Sequence, residues 1–267
     1  MTGENFFRGK VMLITGSSNG IGREAAKGCA ALGAKITITG TKGDTLKVTK
    51  KQCIEAGANE SDILEVLGDI ADESTAKALV EGTINKFGRL DVLVNNAGLF
   101  VSDDLGRPGI EQPIDIYDRT MAVNLRAVIL LSQLAIPHLE KTKGTIINIS
   151  SIASQPKSFE FFPYYSVSKA ALDQLTVQMA GTLIKKGIRV NSINPGLIIT
   201  NFLNNAGLTK DQSDAMIQHH GSKIPLGRAG EPKDIVKLML FLSDRTKSEF
   251  IVGQKFVSDG GYSILSE

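Results

Sequence analysis

VMLITGSSNGIG, residues 11–22, is the stretch of this chain that decides its fold. Val11 to Ile14 form a short apolar run of strand type, and Ile21 to Leu32 carry apolar residues at helical spacing. Only a short turn rich in glycine separates the two. The stretch therefore predicts a strand that turns directly into a helix, as at the start of a βαβ unit.

The glycines of this turn have separate tasks. Gly16 allows a tight bend, Gly20 lets the backbone approach a bound pyrophosphate, and Gly22 lets the helix pack closely on the strand. The amino terminus of the helix then faces the anion, which predicts a dinucleotide site. The residues expected to line it are Gly16, Ser18, Asn19, Gly20, Ile21 and Gly22.

Strands and helices continue to alternate along the chain, which predicts one parallel sheet. Right-handed crossovers place helices on both faces and give a Rossmann-type, doubly wound α/β fold with seven strands, a single domain over residues 1–267. The predicted strands are Lys10 to Thr15, Ala34 to Thr39, Asp62 to Leu67, Asp91 to Asn95, Gly144 to Ser150, Gly187 to Asn194 and Gln254 to Val257. The clearest helices are Ile21 to Leu32, Glu73 to Phe87, Tyr117 to Leu139, Tyr164 to Lys185 and Pro232 to Leu242.

Composition argues against two kinds of partner. Of the 267 residues, 42% are hydrophobic and 22% charged, and 30 basic against 28 acidic side chains leave a formal charge of +2. This balance offers no basic face to nucleic acid or to an anionic membrane. Apolar runs such as Ala127 to Leu131 are far shorter than the roughly 18 residues of a spanning helix.

Met1 to Lys10 lack the apolar region of a secretory signal, so we expect a cytoplasmic protein with Cys29 and Cys53 as reduced thiols.

The end of the second strand bears on the choice of dinucleotide. An NAD site usually has an Asp or Glu about 20 residues after the glycine turn, where it binds the ribose 2′-hydroxyl. This chain has Gly40, Thr41 and Lys42 there. Because no carboxylate repels a 2′-phosphate, while Thr41 can donate a hydrogen bond and Lys42 supplies charge, NADP is favoured and NAD is the alternative. Lys42 is equally compatible with a solvated surface lysine.

A tyrosine and a lysine four residues apart indicate proton transfer. Hydride reduction of a carbonyl leaves a developing alkoxide, which needs a proton donor and an oxyanion partner. A tyrosine, with a pKa of about 10, can serve at neutral pH when a cation lies beside it. Tyr165 and Lys169 share a helix face, whereas Tyr164 has only Ser168 at that spacing. Tyr165 is therefore the predicted donor.

Two polar positions upstream complete the candidate catalytic set. The fifth strand ends in Ser150 and Ser151, which places a hydroxyl at the carboxyl edge of the sheet. Asn124 lies inside an apolar helical run, where a buried amide must find hydrogen-bond partners. A structural asparagine that kinks the helix is the alternative at that position.

These motifs resemble those of the short-chain dehydrogenase/reductase family. The glycine turn, the Asn95-Asn96-Ala97-Gly98 segment, the serine, Tyr-x-x-x-Lys and Pro195-Gly196 follow one another in the family's order. The resemblance implies that the catalytic residues are Asn124, Ser151, Tyr165 and Lys169. It implies further cofactor-binding roles for Asp69, Ile70, Asn96, Ala97, Gly98, Tyr165, Lys169, Pro195, Gly196, Ile198 and Thr200. Asn96 is equally compatible with a structural tie between two strands.

The predicted activity is NAD(P)(H)-dependent hydride transfer between nicotinamide and a carbonyl or secondary alcohol. The short carboxyl-terminal part disfavours a sugar-nucleotide epimerase, and the complete catalytic set disfavours a catalytically silent dinucleotide sensor or scaffold. The resemblance also implies a homotetramer in which the helices bearing Asn124 and Tyr165 pack against a neighbour's copies. His138, His219 and His220 lack clustered ligands, so no metal site is expected.

Aromatic residues around the catalytic set predict an apolar substrate site. They and their apolar neighbours are Phe100, Phe159, Phe161, Phe162, Pro163, Phe202 and Leu203. Two irregular stretches, Leu99 to Asp115 and Gly196 to Ser222, are expected to cover a ligand, the second as a lid over residues 196–222. The phenylalanines between Ser151 and Tyr165 are equally compatible with packing under the lid. The loop Leu99 to Asp115 resembles that of animal carbonyl-reducing members of the family, a likeness that does not fix the substrate.

Overall fold

A parallel seven-stranded sheet forms the centre of the protein, seen in a computed structural model that describes residues 5–101, 103, 105–156, 162–205 and 207–265. The strands are β1 Val11–Ile14, β2 Lys35–Gly40, β3 Ile63–Leu67, β4 Val92–Asn95, β5 Thr145–Ile149, β6 Arg189–Pro195 and β7 Lys255–Ser258. Their order is β3-β2-β1-β4-β5-β6-β7, and each neighbouring pair is parallel. The predicted fold class and all seven strands are confirmed, with ends displaced by a few residues.

Helices cover both faces of this sheet. They are α1 Gly20–Ala31, α2 Gly43–Glu55, α3 Glu73–Phe87, α4 Ile114–Met121, α5 Ala127–Thr142, α6 Pro163–Leu183, α7 Phe202–Asn205, α8 Lys210–Gly221, α9 Pro232–Ser243, α10 Arg245–Ser248 and α11 Tyr262–Leu265. The apolar pattern does not single out α2, because that helix buries only Leu46, Thr49 and Cys53. The short helices α10 and α11 span a single turn each, too little for a periodic pattern to register.

Side chains from each strand alternate between two cores. On β1, Met12 and Ile14 face the core formed with α1, α2 and α9, whereas Val11 and Leu13 face the core formed with α3, α5 and α6. Burial of each such side chain contributes roughly 1.5–3 kcal/mol. The sheet thus packs against an apolar core on each face.

The helix predicted for Tyr117 to Leu139 is longer and less regular than the sequence indicates. It begins at Ile114, ends at Thr142, and contains a π-helical turn at Ala122–Arg126. A π turn shifts the register of the side chains around it, and functional sites often use one. Asn124 lies in this turn and is fully buried.

By length and composition the 29-residue helix Ile114–Thr142 could cross a membrane. Its inner face nevertheless belongs to the core beside α3, where Val123, Leu131 and Leu139 are buried. An apolar central helix of a doubly wound domain has the same composition as a membrane span. The contacts therefore identify this one as a core helix.

Candidate active site

The glycine turn, Thr15 to Gly22, is packed so closely that larger side chains do not fit. Gly16 and Gly20 have φ angles of 64° and 53°, in the left-handed region. A Cβ atom on Gly22 would overlap the carbonyl oxygen of Gly16 and lie 2.5 Å from Asn96 Nδ2. Asn96 in turn donates to the carbonyl oxygens of Thr15 and Gly16 at 2.8 and 3.1 Å. Asn96 thus ties β4 to the turn.

The outer side of the glycine turn holds a hydroxyl without a partner. Ser18 Oγ is buried and has no hydrogen bond within the described part of the chain. It occupies the space that a Cβ on Gly40 would need. Thr41 and Lys42 follow directly and are exposed. A buried hydroxyl at this edge fits a ribose hydroxyl or a 2′-phosphate oxygen as its partner.

Arg23 holds this side of the turn in place, a role that the sequence analysis missed. Its guanidinium donates to the carbonyl oxygens of Ser18 and Thr45, and its Nε donates to Thr49 Oγ1 at 3.1 Å. The turn is therefore joined to α2 as well as to β4. A charged residue directly after Gly22, on a helix that packs on the sheet, was the available signal.

Asp69 lies at the carboxyl end of β3, where a contact to adenine is expected. Its carboxylate accepts from the backbone N–H of Ala71 at 2.9 Å and forms an ion pair with Arg119. Burial opposes ionisation of this group, but the two partners outweigh it and hold the pKa of Asp69 below its usual value. The neighbouring Ile70 is buried. The carboxylate is therefore charged and already oriented.

The segment that follows β6 closes the other side of the cleft. A Cβ on Gly20 would lie 2.9 Å from Thr200 Cγ2, so Thr200 covers the glycine turn. Gly196, directly after Pro195, donates from its backbone to Ser258 at 3.0 Å, and a Cβ there would lie 2.6 Å from Asp259 Cβ. Ile198 pairs with Gly230 in an isolated bridge. The helices α7 and α8 follow, and their role as a lid stays a prediction.

Tyr165, Ser151 and Lys169 meet at the carboxyl end of β5. The Ser151 side chain lies close enough to the Tyr165 hydroxyl to lower its pKa, and Ser151 Oγ accepts a hydrogen bond from Ala153 N at 3.1 Å. Lys169 Nζ lies 5.6 Å from the centroid of the Tyr165 ring and donates to the carbonyl oxygen of Ile149 at 2.8 Å. A Cβ on Gly98 would lie 3.3 Å from the same Nζ, which places the segment after β4 directly beside the lysine.

The two residues that the sequence analysis set aside point elsewhere. Tyr164 is buried, and its hydroxyl donates to the carbonyl oxygen of Gln112 at 2.9 Å. Ser150 is buried too, and its Oγ donates to the carbonyl oxygen of Lys169 at 3.3 Å. The hydroxyls of Tyr164 and Ser150 are therefore turned away from the place where Tyr165 and Ser151 lie together.

Asn124 uses its amide to fix the neighbouring backbone. Its Oδ1 accepts from Leu99 N at 2.8 Å, and its Nδ2 donates to Leu99 O at 2.9 Å and to Ser168 Oγ at 3.0 Å. The Oδ1 atom also lies 3.5 Å from where a Cβ on Gly98 would be. Asn124 therefore holds the segment after β4 against the helix that carries Tyr165.

The protonation equilibria of the tyrosine and the lysine are shifted by burial. Burial raises the pKa of Tyr165 to about 12, and the interaction with the Ser151 side chain opposes this rise only in part. Burial lowers the pKa of Lys169 to about 8, and the negative charge of Asp173 opposes this fall only in part. The expected lowering of the tyrosine pKa is therefore not present in this arrangement. The sequence shows the neighbouring cation but not the loss of water around the ring.

Three phenylalanines surround the Tyr165 ring and are called the aromatic wall below. The ring centroids of Phe100, Phe162 and Phe202 lie 6.4, 6.3 and 5.7 Å from that of Tyr165. Of the other apolar residues predicted here, Pro163 begins α6 and Leu203 lies in α7, while Phe159 and Phe161 lie outside the described residues. The cleft beside the candidate proton donor is thus lined by apolar rings.

Comparison with known proteins agrees with this geometry. A family profile described as "Enoyl-(Acyl carrier protein) reductase" matches residues 16–263. A short-chain dehydrogenase/reductase of unknown function from Caenorhabditis elegans, solved with cofactor, is 42% identical, with a TM-score of 0.95 and coverage of 97% of both chains. A glucose dehydrogenase from the same organism is 42% identical, with a TM-score of 0.83 over 97% of this chain and 99% of the other. A 7alpha-hydroxysteroid dehydrogenase from Escherichia coli is 34% identical over 95% of this chain and 94% of its own.

Proposed function

The chain belongs to the short-chain dehydrogenase/reductase family, and from that premise we propose that it reduces an apolar ketone, or oxidises the matching secondary alcohol, with NADP. That it is an oxidoreductase of alcohols and carbonyls follows from the family and from relatives named as dehydrogenases. The choice of cofactor, the kind of substrate and the roles of individual residues are proposed on the geometry described above.

The observation that carries the proposal is the meeting of three groups at one point of the cleft. Ser151 lies beside Tyr165 and lowers the pKa of its hydroxyl, and Lys169 Nζ lies over the tyrosine ring, 5.6 Å from its centroid. All three lie at the carboxyl edge of the sheet, where doubly wound folds bind their ligands. This arrangement provides a proton donor, an oxyanion partner and a cation for one substrate oxygen.

The glycine turn leads directly into the amino terminus of α1, which fits the pyrophosphate of a dinucleotide. Its close course is possible only with glycines, since a Cβ on Gly16, Gly20 or Gly22 would collide with neighbouring protein atoms. The bound nicotinamide supplies or accepts the hydride. Tyr165 donates its proton to the substrate oxygen as negative charge develops there, and Ser151 donates a hydrogen bond to the same oxygen. Lys169 holds the nicotinamide ribose, and Asn124 orients the backbone beside it and supports proton relay. Oxidation reverses each of these transfers.

NADP is preferred in this proposal because of what surrounds the orphaned hydroxyl of Ser18. This hydroxyl, Thr41 and Lys42 offer hydrogen-bond donors and one positive charge at the end of β2. The position after Gly40 carries no acidic side chain that would repel a 2′-phosphate. A phosphate with several acceptor oxygens would satisfy the buried hydroxyl, which a ribose hydroxyl also does but without the charge attraction.

An apolar substrate is proposed because of the aromatic wall. Rings on three sides of Tyr165 exclude water from the reacting oxygen and offer no hydrogen-bonding groups to a polyhydroxylated substrate. The hydroxysteroid dehydrogenase relative acts on a substrate of that apolar class, whereas the glucose dehydrogenase neighbour does not. Both kinds of substrate belong in the test.

The test is fluorescence titration of the purified protein with NADPH and with NADH, followed by a panel of apolar and sugar-like carbonyls. The proposal expects tighter binding of NADPH and turnover of at least one apolar ketone. Preference for NADH would contradict the interpretation of Thr41 and Lys42. Binding of a dinucleotide without any turnover would favour the silent sensor instead.

The proposal includes a homotetramer in the cytoplasm. Apolar side chains on the outer faces of α5 and α6 remain exposed, with Ile129 at 36%, Val167 at 51% and Val177 at 38%. These are the helices that the family resemblance assigns to subunit contacts. Cys29 and Cys53 are buried free thiols, which suits a reducing compartment. Light scattering of the purified protein gives its mass in solution and tests the tetramer.

A further inference from the structure

A buried carboxylate that the proposed reaction does not use lies behind the site. Asp173 is 7% exposed and lies one helical turn after Lys169 on α6. Its Oδ2 accepts a hydrogen bond from Asn194 Nδ2 at 2.7 Å, and its Oδ1 lies 3.4 Å from Ser192 Oγ, which shares its one proton between Asp173 and Asn194. Both partners are neutral groups of β6. These hydrogen bonds hold the carboxylate in place, and neither of them is an ion pair.

Asn194 joins this carboxylate to the backbone of the proposed oxyanion partner. Its Nδ2 lies 3.2 Å from the carbonyl oxygen of Ser151 and 3.0 Å from Ser154 Oγ. Ser154 Oγ itself donates to the Ser151 carbonyl at 2.7 Å. Ser192 Oγ donates to Asn194 Oδ1 at 2.9 Å, which fixes the orientation of the amide. A change at Asp173 therefore affects Asn194, and through Asn194 the backbone that carries the Ser151 hydroxyl.

Asp173 also faces the proposed cation. Among the described residues, the titratable groups beside Lys169 are Tyr165 and Asp173, both on α6. The other elements that contact the lysine present neutral groups: the carbonyl of Ile149 on β5 and the Gly98 segment after β4. Lys169 is 3% exposed, so burial works against its charge. The negative charge of Asp173 opposes that loss.

We propose that Asp173 is a positioning residue with two effects: its charge keeps Lys169 protonated beside Tyr165, and its bond to Asn194 fixes the backbone that carries the Ser151 hydroxyl. The second effect rests on the proposed function, because it concerns turnover. The first is a property of the folded protein and is measurable without a substrate. The failure of one can therefore be told from the failure of the other.

The first experiment follows Lys169 directly. Protein labelled with ¹³C at the lysine ε carbons is titrated by NMR, with the Lys169 signal assigned from its loss in Lys169→Arg. In Asp173→Asn, which keeps the shape and removes the charge, the midpoint should fall by about 1 pH unit, the size expected for one nearby opposite charge. Thr176→Val, which removes a buried hydroxyl less than one turn further along α6, is the matched control and should leave the midpoint where it is.

The second experiment separates charge from support. The pH profile of kcat/KM for ketone reduction should lose activity as the pH rises through the Lys169 pKa of about 8. Asp173→Asn should move that alkaline limb down by about 1 unit. Asn194→Ala keeps the Asp173 side chain and removes the bond to the Ser151 backbone, so KM for the ketone should rise about fivefold, as for loss of one hydrogen bond.

An unchanged Lys169 midpoint in Asp173→Asn would overturn the charge effect. An unchanged KM in Asn194→Ala would overturn the support effect. Dinucleotide binding and a thermal melt of each variant check that it is folded. If Asp173→Asn is too unstable to purify, Asp173→Ser takes its place with the same expected downward shift. Absence of turnover in the unaltered protein would contradict the proposed function and still leave the NMR titration to decide the charge effect.

Discussion

Gly22, in the glycine turn, and Phe202, in the aromatic wall, are surrounded differently. Around Gly22 the contacts are with backbone atoms and with one asparagine, and the first added carbon atom would overlap the Gly16 carbonyl oxygen. Around Phe202 the contact is with another ring, 5.7 Å away between centroids, on a segment outside the sheet. The proposed cofactor side is thus specified by backbone geometry, and the proposed substrate side by exchangeable side chains.

This difference accounts for what a short-chain dehydrogenase can vary. Backbone contacts at the glycine turn leave room for glycine alone at several positions. The turn can therefore be recognised from one sequence. Side chains on loops can change without disturbing the sheet, so the same scaffold can accept different substrates. A glucose dehydrogenase and a hydroxysteroid dehydrogenase both resemble this chain over nearly its whole length.

The largest effect is expected where the two sides meet, at Tyr165. Tyr165→Phe removes the proposed proton donor and should lower kcat by about 10³-fold, within the range measured for general acid catalysis. The affinity for NADPH should stay within about twofold, because the ring and its neighbours remain. Turnover and fluorescence titration on the same preparation measure both quantities.

Tyr164→Phe is the matched control for that variant. It deletes a hydroxyl that donates to Gln112, on the other side of the helix, so stability should fall by about 1 kcal/mol with kcat nearly unchanged. Equal losses of kcat in the two variants would mean that the tyrosines support the fold rather than the chemistry.

The next largest effect tests the backbone side. Gly22→Ala forces the added carbon against Gly16 and Asn96, which should weaken dinucleotide binding by about 100-fold and lower the free energy of unfolding by about 1–3 kcal/mol. Gly181→Ala, in α6, is the control: a Cβ there meets nothing within 4 Å. It should stabilise the helix by up to about 1 kcal/mol and leave binding unchanged. Titration calorimetry gives the dinucleotide affinity, and chemical denaturation gives the free energy of unfolding.

A smaller effect is expected on the substrate side. Phe202→Ala removes one ring of the aromatic wall and should raise KM about tenfold for a bulky apolar ketone, the value of one buried aromatic contact. KM for a small ketone and the affinity for NADPH should hardly move. If both ketones lost affinity equally, Phe202 would support the lid and not the pocket.

The smallest effect concerns an exposed charge. Lys42→Gln should weaken NADPH binding about threefold and leave NADH binding as it is, because a solvated charge contributes little to an ion pair. The effect should shrink as salt is added. Equal affinity of the variant and the unaltered protein for NADPH would identify Lys42 as an ordinary surface lysine.

The fold was predictable because its strands are short β-branched runs and its glycine turn has one structural solution. All seven strands and the class of the fold followed from these local features. Helix α2 did not, because a helix that buries one narrow strip shows little apolar periodicity. The π turn at Ala122–Arg126 has no counterpart in periodicity either, since it adds one residue to a single turn.

The site was predictable in part for a similar reason. Tyr165 and Lys169 are four residues apart on one helix, so spacing alone brings them together. Asp173 continues that spacing, but its partners Asn194 and Ser192 lie on a strand that no local rule connects to it. The pKa of Tyr165 depends on burial, which is a property of the packed cleft. Long-range contacts and loss of water are therefore what the sequence analysis lacked.

The most direct test of the account follows the hydride itself. NADPH carrying deuterium at the transferable position of the nicotinamide C4 is incubated with the protein and an apolar ketone, and the alcohol formed is analysed by mass spectrometry and NMR. The account predicts one deuterium on the carbinol carbon, with the label retained in the product of the unaltered protein and product formation about 10³-fold slower in Tyr165→Phe. Failure to form any deuterated alcohol from ketones or sugars, with NADPH or NADH, would contradict it.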